Sequence, residues 1–315
     1  MYTLPTKELR QFFSASSFIK ESGTLPVLQY MKIDFTKDGA KLYRTNLDQY
    51  YIHFIDVENT AGEILVEYNR LSNFVSKIQS DAVVFKKDGN TIHVSSGKEH
   101  VKLNVMDKAV FPVVPKINEE KTLIPNDVVL TLKRASKFLN DDKNDLFTTH
   151  VFVGKNYICA SDRNFAHYAT LETPIELPIY RSIIDALPGE CMHSLSDNYY
   201  TFTTLNGVYL FIKSEASFFD MTKVPQSIPQ KPTTKISKSD FSTFLNIARG
   251  QCKFNLCLAE ITGSEKSMNC YMKDPLTEDV AEWPIDADGS PFDFKFNVDY
   301  MITICKQFEG EELSM

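Results

Sequence analysis

The sequence predicts an α+β chain of three repeated domains, each with two helices packed on antiparallel sheets. Three observations carry this. First, short apolar/polar alternations with a period of two recur along the whole chain, and such alternation marks strands with one buried and one wet face. Second, amphipathic helices with a period near 3.6 interrupt those strands at regular intervals. Third, the order helix, strands, helix, strands restarts near residues 118 and 232, which is an internal repeat of domain size. The 315 residues suffice for two or three cores, with 43% hydrophobic and 24% charged residues as in ordinary globular proteins. No apolar run approaches a membrane span, and Met1-Tyr2-Thr3 opens no signal region.

In the first domain, 1–117, Leu4 to Glu21 reads as a helix with Leu9, Phe12, Phe13 and Ile19 on one stripe. Strands follow at 30–35 and 41–43, joined through Asp38-Gly39, a dipeptide that suits a type I′ turn. Further strands are expected at 51–56 and 62–67, then a helix from Asn69 to Gln79 and a strand at 83–85. The domain closes on Ile92 to Val113. There Ile92, Val94, Val101, Leu103 and Val105 point one way while His93, Lys102 and Asn104 point the other. Ser96-Gly97 supplies the reversal, and Phe111-Pro112 ends the sheet because proline donates nothing to a ladder.

The second domain, 118–231, begins with a helix from Asn126 to Leu139, then strands at 150–153, 157–160 and 166–170. A short helix from Tyr180 to Leu187 stops at Pro188-Gly189, and strands at 200–204 and 208–213 join through Asn206-Gly207, again a type I′ signal. Phe218-Phe219 and the prolines 225, 229 and 232 form a stiff linker. In the third domain, 232–315, Ser237 caps a helix, strands fall at 255–261, 268–272 and 292–296, and Asn297 caps a helix to Phe308. This last domain is expected to lack its final strands, either because the chain is short or because a partner completes the unit.

The six cysteines are scattered with no Cys-x-x-Cys pair, and Cys252 and Cys257 have no histidine near them, so reduced thiols in a cytoplasmic protein are expected and no metal or cofactor is. The net charge of −7 excludes a uniformly basic nucleic-acid binder, but it conceals a separation. The predicted helices carry Lys7, Arg10, Lys20, Arg70, Lys77, Lys133, Arg134, Lys137, Arg181, Lys238, Arg249 and Lys306. Against them stand only Glu8, Glu21, Asp127, Asp185, Asp240 and Asp299, so the strands and loops hold the excess acid. A basic wet face is what plain solvation gives on one helix. Repeated on every helix of an acidic chain, it is also what a surface following phosphates by charge alone would need, and such contacts read no sequence. No Gly-x-Ser-x-Gly, His-Glu-x-x-His or paired-carboxylate signature accompanies the histidines at 53, 93, 100, 150, 167 and 193. Asp162 near His167 reads as a strand-end acid beside a packed histidine rather than an acid–base pair. An enzyme is therefore not expected. A β-rich structural or interaction protein without DNA binding is the alternative reading, and it leaves the basic bias of the helices without a reason.

These residues resemble the bacterial-type DNA sliding clamp, the beta subunit of DNA polymerase III. The resemblance covers all three repeats and is sharpest at Thr24-Leu25-Pro26-Val27-Leu28, at Ser96-Gly97 through Val101-Lys102-Leu103 to Phe111-Pro112, at Ala160-Ser161-Asp162 and at Phe296-Asn297-Val298-Asp299-Tyr300. It implies the DNA-clamp fold and a head-to-tail homodimer ring that encircles double-stranded DNA without sequence preference, with helices inside and sheets outside. Such a ring is a non-catalytic processivity factor. The basic helix residues up to Arg249 would then face DNA, and Val101 and Leu103 fall on the strand implied to meet the neighbouring subunit, although both also read as core-facing. The peptide pocket for DNA polymerase and clamp-loader segments carries over to Phe147, Ser161, Arg163, Asn164, Ala166, Phe219, Lys223 and Val224. The family pattern after Thr-Asp is Gly-His-Arg-Leu, whereas Arg163-Asn164-Phe165-Ala166 follows Ser161-Asp162 here, a departure that suits a divergent or phage-type member.

Overall fold

The computed structural model describes residues 1–20, 25–107, 110–140, 145–163, 166–196, 198–214, 216, 234–253, 256–264, 266–290, 293–308 and 310–314. The chain divides into two compact units, Met1–Phe219 and Asp220–Met315.

Within the first unit the chain runs β1 (Tyr2–Pro5), α1 (Thr6–Ala15), β2 (Tyr30–Phe35), β3 (Ala40–Thr45), β4 (Gln49–Ile55), β5 (Gly62–Glu67), α2 (Tyr68–Lys77), β6 (Ala82–Asp88), β7 (Thr91–Ser96) and β8 (Glu99–Asn104). The same order then recurs: β9 (Thr122–Ile124), α3 (Asn126–Ala135), a single turn α4 (Leu146–Thr149), β10 (His150–Gly154), β11 (Tyr157–Ser161), β12 (Ala166–Thr170), β13 (Leu177–Tyr180), α5 (Arg181–Ala186), β14 (Cys191–Leu195), β15 (Tyr199–Thr203) and β16 (Gly207–Ile212). Each repeat builds one four-stranded set in the order β5-β2-β3-β4 or β13-β10-β11-β12, and a second in the order β1-β6-β7-β8 or β9-β14-β15-β16. All pairings are antiparallel. Strands β4 and β16 pair with each other, from Gly207 opposite His53 to Phe211 opposite Gln49, so two sets fuse into one eight-stranded sheet.

The second unit holds β17 (Thr234–Ser237), α6 (Lys238–Gln251), β18 (Leu258–Gly263), β19 (Ser267–Lys273), β20 (Val280–Gly289), β21 (Asp293–Asn297), α7 (Val298–Gln307) and β22 (Glu312–Ser314). Its sheet order is β21-β18-β19-β20-β17-β22. This is the same plan up to α7, followed by one strand of the second set. The caps expected at Ser237 and Asn297 are present: Ser237 Oγ accepts from Asp240 N–H at 3.3 Å, and Asn297 Oδ1 accepts from Asp299 and Tyr300 N–H at 2.9 and 3.3 Å.

The helices bury one stripe each. Leu9, Phe12 and Phe13 of α1, Leu71 and Val75 of α2, and Val128, Val129 and Leu132 of α3 pack into a core that runs through both repeats of the first unit. Phe241, Phe244, Leu245 and Ala248 of α6 do the same in the second unit. Behind the β4–β16 joint, Tyr50, Ile52, Val208 and Leu210 form a small apolar cluster on the opposite face of the sheet.

Three expectations change. The helix read from Leu4 to Glu21 begins at Thr6 and ends at Ala15, because Tyr2–Pro5 pairs with β6 instead; Lys20 therefore lies beyond the helix. Strands β1, β9, β13 and β17 were invisible to periodicity, having three or four residues each and running straight into a helix. The dipeptides Asp38-Gly39 and Asn206-Gly207 do not adopt the positive φ of a type I′ turn. Glycine is needed there for close approach: a Cβ on Gly39 would stand 2.6 Å from Ile55 O, and one on Gly207 2.5 Å from Ile52 O. Gly97, by contrast, has φ +61 and turns the β7–β8 hairpin as expected.

Candidate nucleic-acid interface and peptide-binding surface

All the predicted cations but Lys20 ride on helical turns, and their hydrogen bonds sort them into two groups. Arg10 donates to Val75 O and Ile78 O, satisfying carbonyls at the C-terminal end of α2. Arg70 pairs with Glu67 at 2.9 Å, Arg181 lies 3.7 Å from Asp185, and Arg249 pairs with Asp299 at 2.7 Å. Lys238 donates to Phe308 O, and Arg134 has partners of its own. Among the described residues Lys7, Lys20, Lys77, Lys133 and Lys137 make no ion pair. The arginines are thus tied to the fold, while these lysines keep their charge for solvent or for a ligand.

In the first unit a strip of polar side chains follows α1. Lys7, Arg10, Gln11 and Ser14 line a shallow depression with Gln79 and Ser80. Gln11 and Ser14 also border a larger open cleft of about 910 Å³, together with Ser17, Lys20, Lys133 and Ser182. The cleft therefore brings Lys20 of the first repeat together with Lys133 of the second. Gln11, Ser14 and Ser17 were not singled out in the sequence, although their spacing from Lys7 and Arg10 already placed them on one helix side. Asp185 and Glu190 line the same cleft, so its cationic character is local rather than uniform.

The floor of this cleft holds a buried polar chain. His53 is 1% exposed; its Nε2 lies 3.2 Å from Glu8 Oε2 and its Nδ1 2.9 Å from the Tyr51 hydroxyl. A carboxylate only accepts, so Nε2 carries the proton and Nδ1 accepts from Tyr51. Burial holds His53 below its ordinary range, with Glu8 opposing. His167, 5.3 Å from the Phe138 ring, is lowered by burial and then by the charge of Arg134. Its surroundings are those of a packed side chain.

The predicted peptide-pocket residues that fall among the described ones meet at one end of the β10–β11–β12 sheet. Ser161 closes β11 opposite Ala166, the first residue of β12. Ser161 Oγ accepts from Arg163 N–H at 3.0 Å, and Arg163 Nε donates to Asp145 at 2.7 Å. Asp145 in turn caps α4 by accepting from Phe147 N–H at 3.1 Å, and the hydrogen bond from Arg163 holds its carboxyl below the usual range. Asp145 was missed in the sequence, where nothing marks it as a partner of residue 163. Arg163 has φ +76, the left-handed region that favours glycine. The departure noted in the sequence therefore places arginine in a glycine conformation and anchors it by an ion pair. Asn164, Phe219, Lys223 and Val224 lie outside the described residues.

Val101 is half-buried and Leu103 is 1% exposed; both side chains join the core of the first unit. What β8 offers outward is its backbone, since it is the last strand of its sheet.

Comparison with known proteins gives the same picture. Residues 7–115 match the family described as DNA polymerase III beta subunit, N-terminal domain. The beta sliding clamp of Streptococcus pneumoniae is 28% identical over 132 residues, covering 39% of this chain and 34% of the relative. That of Bacillus subtilis is 24% identical over 191 residues, covering 55% and 50%. The chain thus spans about a third to a half of the length of these curated relatives. Among solved structures, a C. crescentus beta sliding clamp superposes with a TM-score of 0.86 at 15% identity over 99% of this chain and 90% of that one. A Bacillus subtilis DNA polymerase sliding clamp gives 0.83 at 19%, over 99% and 90%. The architecture is that of a DNA clamp. Within that class, the model of the DNA polymerase III beta-subunit N-terminal domain is matched by the first repeat.

Proposed function

We propose that the chain is a sliding clamp: a non-catalytic subunit that encircles duplex DNA as a ring of two copies and tethers a polymerase. The recurring β-α-ββββ-α plan carries this reading, because helices α1, α2, α3 and α6 each hold more basic than acidic side chains and the joint between the first two repeats is a strand pairing that can be continued from chain to chain. We assign domains 1–117, 118–231 and 232–315 to the six-domain ring. Lys7, Lys20, Lys77, Lys133 and Lys137, unpaired among the described residues, are the strongest candidates to face phosphates. Arg10, Arg70, Arg134, Arg181, Lys238 and Arg249 add charge while held by their own partners. Weak contacts from lysines without an ion-pair partner among the described residues suit a surface that must slide, since they neutralise phosphates without reading bases.

The surface around Phe147, Ser161, Arg163 and Ala166 would take short segments of polymerase and clamp loader, and the protein would work in the cytoplasm. The reaction belongs to the polymerase; the clamp contributes retention. On a primed single-stranded circle with the cognate polymerase and loader, adding this protein should lengthen the products of a single binding event. Product lengths unchanged by its addition would refute the proposal.

A further inference from the structure

The β1-β6-β7-β8 sheet carries a row of cations on the face turned away from the core. Phe85, Ile92, Val94 and Leu103 are buried, so alternation turns Lys86, His93 and Lys102 outward, and all three are exposed. The pairing register aligns them: Lys86 stands opposite His93, and His93 opposite Lys102. His100 is exposed on the same face of β8, two residues from Lys102. Side chains directly opposite on neighbouring strands lie close together, and like charges there destabilise a sheet.

Little offsets this charge. Asp88, at the end of β6, lies 3.9 Å from His93 Nε2 with 76% of its side chain exposed. Among the described residues Lys86, His100 and Lys102 enter no ion pair. Lysines on other strands are placed differently. Lys32 holds Asp34 and Glu63 at 3.2 and 2.9 Å, Lys295 holds Glu260 at 3.2 Å, and Lys273 lies 3.5 Å from Glu278. In a chain of net charge −7 acids are plentiful, yet none among the described residues pairs with Lys86 or Lys102.

We infer that this face docks an acidic helix of a partner protein, lying across β6, β7 and β8 over Lys86, His93 and Lys102. Charge complementarity selects an acidic partner, and spacing selects a helix. Strands lie about 4.8 Å apart, so the row spans about 10 Å. Carboxylates at i, i+3 or i+4, and i+7 of a helix share one face and span about 10.5 Å. An extended segment would set same-side carboxylates about 6.6 Å apart and fall out of step by the third cation. Beside the row Val84 stands opposite Ser95, and these shorter side chains leave room for the flank of such a helix.

A nucleic-acid strand is the other polyanion such charges attract. Single-strand sites add aromatic rings on which bases stack, whereas Phe85, the one aromatic ring on β6, β7 and β8, is buried on the opposite face. The observations therefore favour the protein partner. The proposal needs only the sheet of the first repeat, and it stands apart from the clamp reading, whose DNA contacts lie on helices.

Fluorescence anisotropy of the full chain tests this, with a labelled alanine-based helical peptide of about 15 residues bearing glutamates at i, i+4 and i+7. At low salt the dissociation constant should be on the order of tens of micromolar, and roughly tenfold higher once glutamine replaces the glutamates. A peptide of equal charge with its glutamates scattered around the helix should bind severalfold more weakly. Lys86→Glu, on an interior strand, should weaken binding roughly tenfold, while Lys86→Arg and the equally charge-reversing Lys295→Glu should leave it unchanged. No binding, equal binding of the glutamine or scattered peptide, or equal loss with Lys295→Glu would overturn the proposal. A mixed-sequence single-stranded oligonucleotide that binds through Lys86 more tightly than the peptide would also overturn it and assign the face to nucleic acid. Failure of any arm leaves encirclement of DNA untouched, and a chain that does not encircle DNA should still dock the helix.

Discussion

At the scale of single residues, burial governs the titratable groups. All six cysteines are free and buried, and burial pushes the Cys159 and Cys270 thiols up to about 12. The folded protein should therefore show almost no prompt reaction with an aromatic disulfide reagent at pH 8, and six reactive thiols after denaturation; prompt reaction in the folded state would contradict the packing. Burial also lowers His53, His150, His167 and His193, leaving their neutral forms favoured in the fold. Below the ordinary histidine range the unfolded chain takes up protons that these four resist, so stability falls as pH drops. Thermal midpoints should decrease by at least a few degrees between about pH 7.5 and 5.5, and a flat or rising profile would show that the histidines charge freely. Arg163 offers a third test. Replacing it with glycine relieves a left-handed backbone cost of about 1 kcal/mol but removes the Asp145 pair, so stability should change little while peptide binding at this surface changes.

Among the elements, the β4–β16 joint holds the first unit together. Gly207→Ala would force a Cβ against Ile52 O and the Tyr51 ring, and should destabilise the protein by about 2 kcal/mol, read as a lowered thermal midpoint. An unchanged midpoint would mean that the joint is loose. The longer elements were legible in the sequence because their patterns are long: the helices read on 69–79 and 298–308 and the hairpin of β7 and β8 stand where periodicity put them, while the helix read on 126–139 is α-helical to Ala135 and tightens to a 3-10 turn over Ser136–Phe138. The short strands leading into helices were not, nor was Val280–Gly289, where Pro284 and four acidic or aromatic side chains hide the period. Asp38-Gly39 and Asn206-Gly207 were read as turns for the wrong reason, since local sequence does not reveal which carbonyl presses on a glycine.

For the whole molecule, the central question is how charge is arranged within an acidic chain. The sequence showed which cations ride on helices but not which are engaged, because Arg10 finds the end of α2 and Arg163 finds Asp145 only in the folded chain. The clefts along α1 then single out Lys7, Lys20 and Lys133. Alanine at all three should weaken DNA association uniformly across sequences and reduce its log–log salt slope by up to about three; an unchanged slope would place these lysines away from phosphates. Encirclement itself is tested most directly by topology. Loaded on nicked circular DNA with the cognate loader, the protein should co-elute with the DNA through moderate salt and be lost once a single cut linearises the circle. Equal retention on circular and linear DNA, or equal loss from both, would contradict the clamp.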